Sequence, residues 1–218
     1  MCPILYHSVL LPSSRAVLLL MRNLDLDQYE VKNIDLHMDE LNPPEYLTTD
    51  ERHQVPVYVD GDFVLTESRA ILCYLASASG TFYPKDLKKR ALVDSRLHFD
   101  GTNSFTIIRD FWLPAFRGKK KLMTNRCEGV KILLEKLESF LLNSDWFAGD
   151  DVTIADFSYL ANVATIKAWG VNLKDYPNLY NWHERCRTLP GFLENQKGAK
   201  FLAKEVAMLV GEPLWPNT

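Results

Sequence analysis

A change of hydrophobic pattern near residue 80 limits this chain to a small set of folds. Before it, strand-like and helix-like segments alternate, and after residue 86 every segment has the helical period. The first part predicts, in chain order, a strand at 3–6, a helix after Pro12, a strand at 29–36, a hairpin over 55–68 that turns at Asp60-Gly61, and a helix at 68–79. We therefore expect an α/β plus all-α protein, with a βαβ-ββα domain over residues 1–80 and a helical bundle over 87–218.

Two further signals describe the helical part. Its long amphipathic stretch, residues 87–113, predicts one continuous helix. Further along the chain, Thr153 precedes Asp156 by three residues, which is the spacing of a capping box at a helix N-terminus. Asp takes the place of the usual Glu in this box.

The charge and cysteine patterns exclude several classes of protein. The formal net charge is −3, so no nucleic-acid partner is expected. No apolar run reaches the roughly 18 residues of a membrane span, so no membrane partner is expected. The four cysteines form no C-x-x-C pair, which argues against a metal site and favours a cytoplasmic protein with reduced thiols. One basic run, residues 117–121, is interpreted as a solvated loop between helices.

The turn from the first strand into the first helix, residues 7–17, is typical of a site for anions or thiolates. Pro12 suits the first helical turn, where a missing N–H costs nothing. Yet Leu11, directly before Pro12, has no proton to give or to take. The sequence therefore leaves open which group would act at this turn.

Five motifs, in this order along the chain, resemble those of the cytosolic glutathione transferases, most of all the insect delta and epsilon classes. They are "HQVP" at 53–56, "LTESRAILCYL" at 65–75, "RLHFD" at 96–100, "WFAGDDVTIADFS" at 146–158 and "PGFLENQKGA" at 190–199. The resemblance implies a thioredoxin-like first domain and a helical second domain that carries a hydrophobic acceptor site. It also implies glutathione as co-substrate, no metal, and a homodimer.

For glutathione, the start of the predicted helix at 68–79 offers suitable chemistry. Ser68 opens that helix, so its hydroxyl and the free N–H groups behind it would hold the γ-glutamyl carboxylate. Glu67 offers a carboxylate to the ammonium group. The alternative is that these two residues form a plain helix cap.

Four further residues are candidates for the glutathione site; the resemblance implies three of them, and the fourth, Arg52, lies where the sequence departs from the family pattern. A cis bond between Val55 and Pro56 would turn the Val55 N–H and C=O toward the cysteinyl backbone; the alternative is an edge-strand proline. His53 matches a position that reaches the glycyl carboxylate, where a structural or solvated histidine is the alternative. Arg52 is a candidate for extra positive charge.

The resemblance also implies contacts between two subunits. Arg69 would support the γ-glutamyl site and pair with an acidic residue of the other subunit, which Asp100 matches. His98, in the same "RLHFD" motif, is the second expected dimer contact. Two unrelated surface charges are the alternative for Arg69 and Asp100.

The acceptor site is expected on one stripe of the long helix. Its aromatic and aliphatic residues recur at helical spacing, so ordinary helical core is the alternative interpretation. The expected residues are Phe105, Ile108, Trp112 and Phe116 on the helix, with Leu10 and Leu11 extending the same apolar surface.

Leu11 is the main departure from the family pattern, because delta and epsilon enzymes have a catalytic serine four residues before the arginine that Arg15 matches. Ser13 is the best replacement among the serines, followed by Ser14 and Ser8, and the alternative is that no serine contacts the thiolate and a water serves instead. The leading interpretation is an enzyme that conjugates glutathione to hydrophobic electrophiles in detoxification. The alternatives are a non-catalytic carrier of glutathione and hydrophobic ligands, which Leu11 favours, and a structural domain of this fold.

Overall fold

The first part of the chain forms a four-stranded mixed sheet. The computed structural model describes residues 2–26, 28–35, 46, 54–118, 124–211 and 213–215. The strands are β1 (Ile4–His7), β2 (Glu30–Asn33), β3 (Val57–Asp60) and β4 (Phe63–Leu65), in the spatial order β2-β1-β3-β4. β1 runs parallel to β2 and antiparallel to β3, and β3 pairs antiparallel with β4. This arrangement confirms the predicted βαβ-ββα order.

Most of the rest of the described chain is helical. They are α1 (Pro12–Asn23), α2 (Ser68–Ser79), α3 (Leu87–Phe99), α4 (Phe105–Phe116), α5 (Thr124–Phe140), α6 (Ile154–Ala168), α7 (Pro177–Arg185) and α8 (Phe192–Val210). α1 and α2 pack with the sheet, and the remaining helices form the all-helical part. The expected fold class, α/β followed by all-α, is therefore confirmed.

Small differences from the expected boundaries have local causes. The hairpin turns at Gly61-Asp62, one residue later than expected, because Gly61 takes the left-handed φ of +60° that a tight turn requires. α2 spans the predicted residues 68–79 without change. β2 is shorter than the predicted strand at 29–36, and residue 36 lies outside the described residues.

The long helix expected over residues 87–113 is interrupted in the middle. α3 ends at Phe99, a π-helical turn covers Asp100–Ser104, and α4 then begins at Phe105. The Phe105 N–H donates to the Asp100 carbonyl, which is the wider i to i+5 bond of a π-helix. The rod remains helical, but its second half is rotated relative to an uninterrupted α-helix.

The core centres on α6, whose residues 154–166 are all buried. α6 packs against α1 on one side and α8 on another, so it joins the two parts of the chain. The predicted capping box is present at its start, since the Thr153 N–H donates to Asp156 Oδ2 at 2.8 Å. Asp156 also accepts from the Trp182 indole N–H at 3.0 Å. Burial raises the pKa of Asp156, while these hydrogen bonds favour its ionised form.

A buried arginine connects α1 to the helical part. Arg15 Nη1 donates to Asn195 Oδ1 at 2.7 Å, and Nη2 donates to Thr165 Oγ1 at 2.5 Å. Burial lowers the pKa of Arg15 to about 9. Gly198 lies directly beneath this side chain, because a Cβ there would stand 2.6 Å from Arg15 Cδ.

None of the helices in the described parts of the chain is both long enough and apolar enough to cross a membrane.

Candidate active site

A cleft of about 1210 Å³ lies between the sheet domain and α4. It is lined by the start of α1, the chain before β3, the start of α2, the π-helical turn and one face of α4. The residues expected in the site that line it are Leu10, Leu11, Ser13, Val55, Pro56, Glu67, Ser68, Arg69, Phe105, Trp112 and Phe116. The structure thus brings together residues that are far apart in sequence and were expected in one site.

One end of the cleft is polar and is formed by the start of α2. Ser68 is the first residue of this helix and is only 6% exposed. Glu67 precedes it with φ +66°, a backbone conformation that side chains other than glycine rarely adopt. Residues held in such conformations are concentrated at functional sites. The Val55–Pro56 bond is cis, as expected, and lies on the facing wall.

Arg69 and Asp100 form an ion pair within one chain, where the sequence analysis expected a pair across two subunits. Arg69 Nε donates to Asp100 Oδ2 at 3.0 Å, and the Asp100 side chain has no exposed surface in this single chain. Ser158 Oγ donates to the same carboxylate at 2.7 Å, and Asn162 Nδ2 donates at 2.6 Å. Arg69 Nη2 is the fourth donor to this carboxylate, which the π-helical turn directs into the interior.

The other expected dimer contact, His98, is exposed on α3 and is not among the residues that line the cleft. His53 and Arg52 lie outside the described residues. Their expected contacts with glutathione therefore stay predictions.

At the start of α1, the structure distinguishes the three serines. Ser14 is fully buried, and its Oγ accepts a hydrogen bond from the Ser8 N–H at 3.2 Å. Ser8 is itself buried at 3% exposure. Ser13 lines the cleft beside Leu11, which occupies the N-cap position and offers no capping group. Among the three, Ser13 is therefore the one placed to meet a ligand in the cleft.

The apolar end of the cleft is formed by α4 and by Leu10 and Leu11. Phe105, Trp112 and Phe116 line it, but Ile108 does not: it is 1% exposed and belongs to the core. An α-helix turns by about 100° per residue, so Trp112 and Phe116 point within about 20° of Phe105 while Ile108 is about 60° away. The expectation for Ile108 was wrong because a spacing of three residues turned it toward the buried side.

The cleft also contains polar residues that the sequence analysis did not select. Arg109, Asp110 and Arg117 line it along α4, and Thr106, Leu113, Leu202, Gln54, Thr66 and Gly101 complete the wall. Arg109 follows Phe105 by four residues and therefore lies about 40° from it on the helix. Arg109 was not selected because the prediction followed only the apolar residues of the helix. A prediction that included every residue on the same face as Phe105 would have included it.

Comparisons with known proteins agree with this arrangement. Residues 3–77 match the model of the glutathione S-transferase N-terminal domain, and residues 104–190 match that of the C-terminal domain. Glutathione S-transferase D7 of Anopheles gambiae is 33% identical over 210 residues, which make up 93% of this chain and 96% of the relative.

Solved structures give the same result. Glutathione S-transferase unclassified 2 from Bombyx mori superposes with a TM-score of 0.92 at 34% identity, covering 97% of this chain and 100% of that one. A glutathione transferase homologue from Drosophila mojavensis, solved with bound glutathione, has a TM-score of 0.85 at 34% identity and covers 95% of this chain and 97% of its own. This chain therefore belongs to the glutathione S-transferase family and is similar to its insect members.

Proposed function

We propose that this protein joins the sulfur of glutathione to apolar electrophiles. The observation that carries this proposal is the two-ended cleft, which has the polar start of α2 at one end and the apolar face of α4 at the other. The start of α1 lines the same cleft. A peptide thiol and an apolar electrophile bound at these two ends would meet near Ser13 and Leu11.

Glutathione would lie along the polar end. The Ser68 hydroxyl and the N–H groups of the first turn of α2 would bind the γ-glutamyl carboxylate, because the first N–H groups of a helix have no partner within it. The Glu67 carboxylate would bind the ammonium group. The Val55 backbone would bind the cysteinyl part, and Arg69, held by Asp100, would support the γ-glutamyl site at the start of α2.

In the reaction, the glutathione thiolate attacks the electrophilic carbon. A C–S bond forms, the bond to the leaving group breaks, and, for an aryl halide, halide departs with the bonding electrons. The thiol proton passes to solvent before the attack. We propose that the Ser13 hydroxyl and the N-terminus of α1 stabilise the thiolate, since each offers positive charge density to an anion.

A direct test measures turnover of an aryl halide with glutathione, alongside glutathione binding by calorimetry. Glu67→Ala and Ser68→Ala should each weaken glutathione binding by at least about 1 kcal/mol, while Ser95→Ala, at an exposed position on α3, should not. Unchanged affinity in both variants would remove the proposed glutathione site. A wild-type protein that binds glutathione and apolar dyes without turnover would instead be the carrier.

We further propose that the protein is a homodimer. β4 is an edge of the described sheet, and Phe63 and Val64 on it are 43% and 44% exposed. The Phe63 ring lies 5.0 Å from the ring of Tyr74, which is 37% exposed. Apolar edge strands are usually covered, and a second copy would cover this one. Sedimentation should give a dimer at micromolar concentration, and Phe63→Glu should give a monomer.

A cytoplasmic location and a role in clearing foreign electrophiles complete the proposal. All four cysteines are free thiols, and Cys186 is fully buried, which suits a reducing compartment. Fractionation of the source cells, followed by detection of the protein, would test the location.

A further inference from the structure

Two arginines and one aspartate stand in the acceptor wall of α4. Arg109 lies in the middle of the helix beside Asp110, and Arg117 follows its last residue; all three line the cleft. An apolar ligand over these guanidinium groups would remove part of their hydration without offering them a partner. A ligand with an anionic group would offer one.

Phe105 lies between two guanidinium groups. Arg69 Cζ is 5.7 Å from its ring centroid, and Arg109 Cζ is 5.8 Å from it. The two arginines differ in how firmly they are held. Arg69 is bonded to Asp100, whose side chain is fully buried, so its charge is already compensated.

Arg109 is held loosely. Its Nε and Nη2 both contact the single oxygen Oδ1 of the neighbouring Asp110, each at 2.9 Å. The two side chains are 40% and 57% exposed. Exposed ion pairs of this kind contribute little to stability and are screened by salt. An anionic group in the cleft can therefore compete for Arg109 at small cost.

We propose, resting on the proposed transferase function, that Arg109 selects electrophiles that carry an anionic group, such as a carboxylate, on an apolar body. The apolar body packs against Phe105 and Trp112, and the anionic group binds the guanidinium of Arg109. The planar guanidinium matches a carboxylate in two parallel hydrogen bonds, which gives the selection its geometry. Arg109 acts on specificity and takes no part in the bond changes at sulfur.

The test compares two aryl chlorides that differ at one substituent, and each rate is divided by that of the uncatalysed reaction with glutathione, because the substituent also changes the reactivity of the ring. One is the chlorodinitrobenzoate whose carboxylate lies para to the chlorine, and the other is the corresponding neutral carboxamide. With each, the thiolate forms a C–S bond and chloride leaves. After this correction, wild type should have the higher kcat/KM with the carboxylate, and this preference should shrink as ionic strength rises.

Arg109→Gln should lower the ratio of kcat/KM for the carboxylate over that for the carboxamide by about tenfold, mainly through KM. Arg109→Lys should restore part of the ratio, because it keeps the charge but not the planar fork. Arg187→Gln, at an exposed position 63% open to solvent and outside the cleft lining, is the matched control.

Three results distinguish the possibilities. A ratio that Arg109→Gln leaves unchanged overturns the inference while the transferase function stands. A rise in the KM for glutathione in Arg109→Gln, with the ratio unchanged, would assign Arg109 to glutathione instead and also overturns it. Wild type that turns over neither chloride contradicts the transferase function itself.

Discussion

Arg69 Nε and Nη2 both donate to Oδ2 of Asp100, and this pair joins the start of α2 to the π-helical turn of the same chain. Because Arg69 directly follows Ser68, the pair fixes the proposed glutathione-binding end of the cleft against the helical part. Ser158 and Asn162, both on α6, hold the carboxylate from the other side.

Replacing Asp100 should therefore affect both stability and binding. We expect Asp100→Asn to lower the free energy of unfolding by about 3 kcal/mol, because breaking a buried ion pair leaves a poorly compensated cation. Glutathione affinity should fall as well, since Arg69 loses its anchor. Urea unfolding and calorimetry measure the two effects. Asp110→Asn, whose side chain is 57% exposed, should cost less than about 1 kcal/mol, and equal losses in the two variants would contradict the assigned role of the pair.

Glu67 should show an unusual order of stability between glycine and alanine. At φ +66° the backbone is strained in any residue that carries a Cβ, and glycine has none. Glu67→Gly should therefore be more stable than Glu67→Ala by about 1 kcal/mol. In an ordinary helical position the order is the reverse. Both variants should lose glutathione affinity, because both lack the carboxylate. Thermal unfolding of the two proteins checks the order, and a more stable alanine variant would show that the backbone relaxes.

Leu11→Ser should raise turnover near neutral pH. A free thiol has a pKa near 8.5, so a hydroxyl that donates to the bound thiolate should shift the pH–rate profile to lower pH, with a smaller gain at high pH. Ser13→Ala should lower turnover over the same range. If Leu11→Ser leaves the profile unmoved and Ser13→Ala abolishes turnover, Ser13 alone serves the thiolate. If Ser13→Ala has no effect, Ser13 has no part in the reaction.

Stability should decline on mild acidification. Burial lowers the pKa of His7 from 6.5 to about 4, and burial does the same for His183. Between pH 6.5 and about 4, the unfolded chain binds protons that the folded chain does not, so the free energy of unfolding falls as pH falls. Each histidine contributes up to about 3 kcal/mol to this loss. The free energy of unfolding, measured at several pH values in this range, should depend less on pH in His7→Gln and in His183→Gln than in wild type. His98→Gln, at an exposed position, is the control. An equal dependence on pH in all variants would exclude the two buried rings as the cause.

Two glycines in helices should respond in opposite ways to alanine. A Cβ at Gly198 would stand 2.6 Å from Arg15 Cδ and 2.9 Å from the Val9 carbonyl oxygen, so Gly198→Ala should destabilise the protein by about 1–3 kcal/mol. At Gly129 the nearest atom, Ile107 Cγ2, is 3.9 Å away, so Gly129→Ala should stabilise α5 by about 0.5–1 kcal/mol. Chemical denaturation measures both, and similar effects would show that the contact with Arg15 does not limit the packing.

The sequence predicted correctly those features of the fold that depend on neighbouring residues. Ser68 begins its helix as expected, and the capping box of Thr153 and Asp156 is present at the start of α6. These features depend on residues within one helical turn of each other, which is the range over which composition and spacing are most decisive. The hairpin was also predicted, to within one residue of its turn.

The sequence was less informative where the phase of a long helix matters. Nothing in residues 87–113 marks a π-helical turn, so the inward direction of Asp100 could not be predicted. Ile108 lies about 60° from Phe105 on the same helix, and the spacing alone does not tell how far the buried side extends. Asp100 was expected to pair with another subunit because the family resemblance implied it. Arg109 was missed because it interrupts an apolar pattern instead of belonging to it.

The π-helical turn also bears on how the long helix could change length during evolution. A π-helical turn contains one residue more than the α-helical turn it replaces. Deleting one codon between Asp100 and Ser104 would therefore restore an α-helical turn and leave α4 in nearly the same orientation relative to α3. A codon lost within α4 would instead rotate the residues on one side of it by about 100°, so the acceptor wall tolerates a change of length in this turn far better than a change within the helix that forms it.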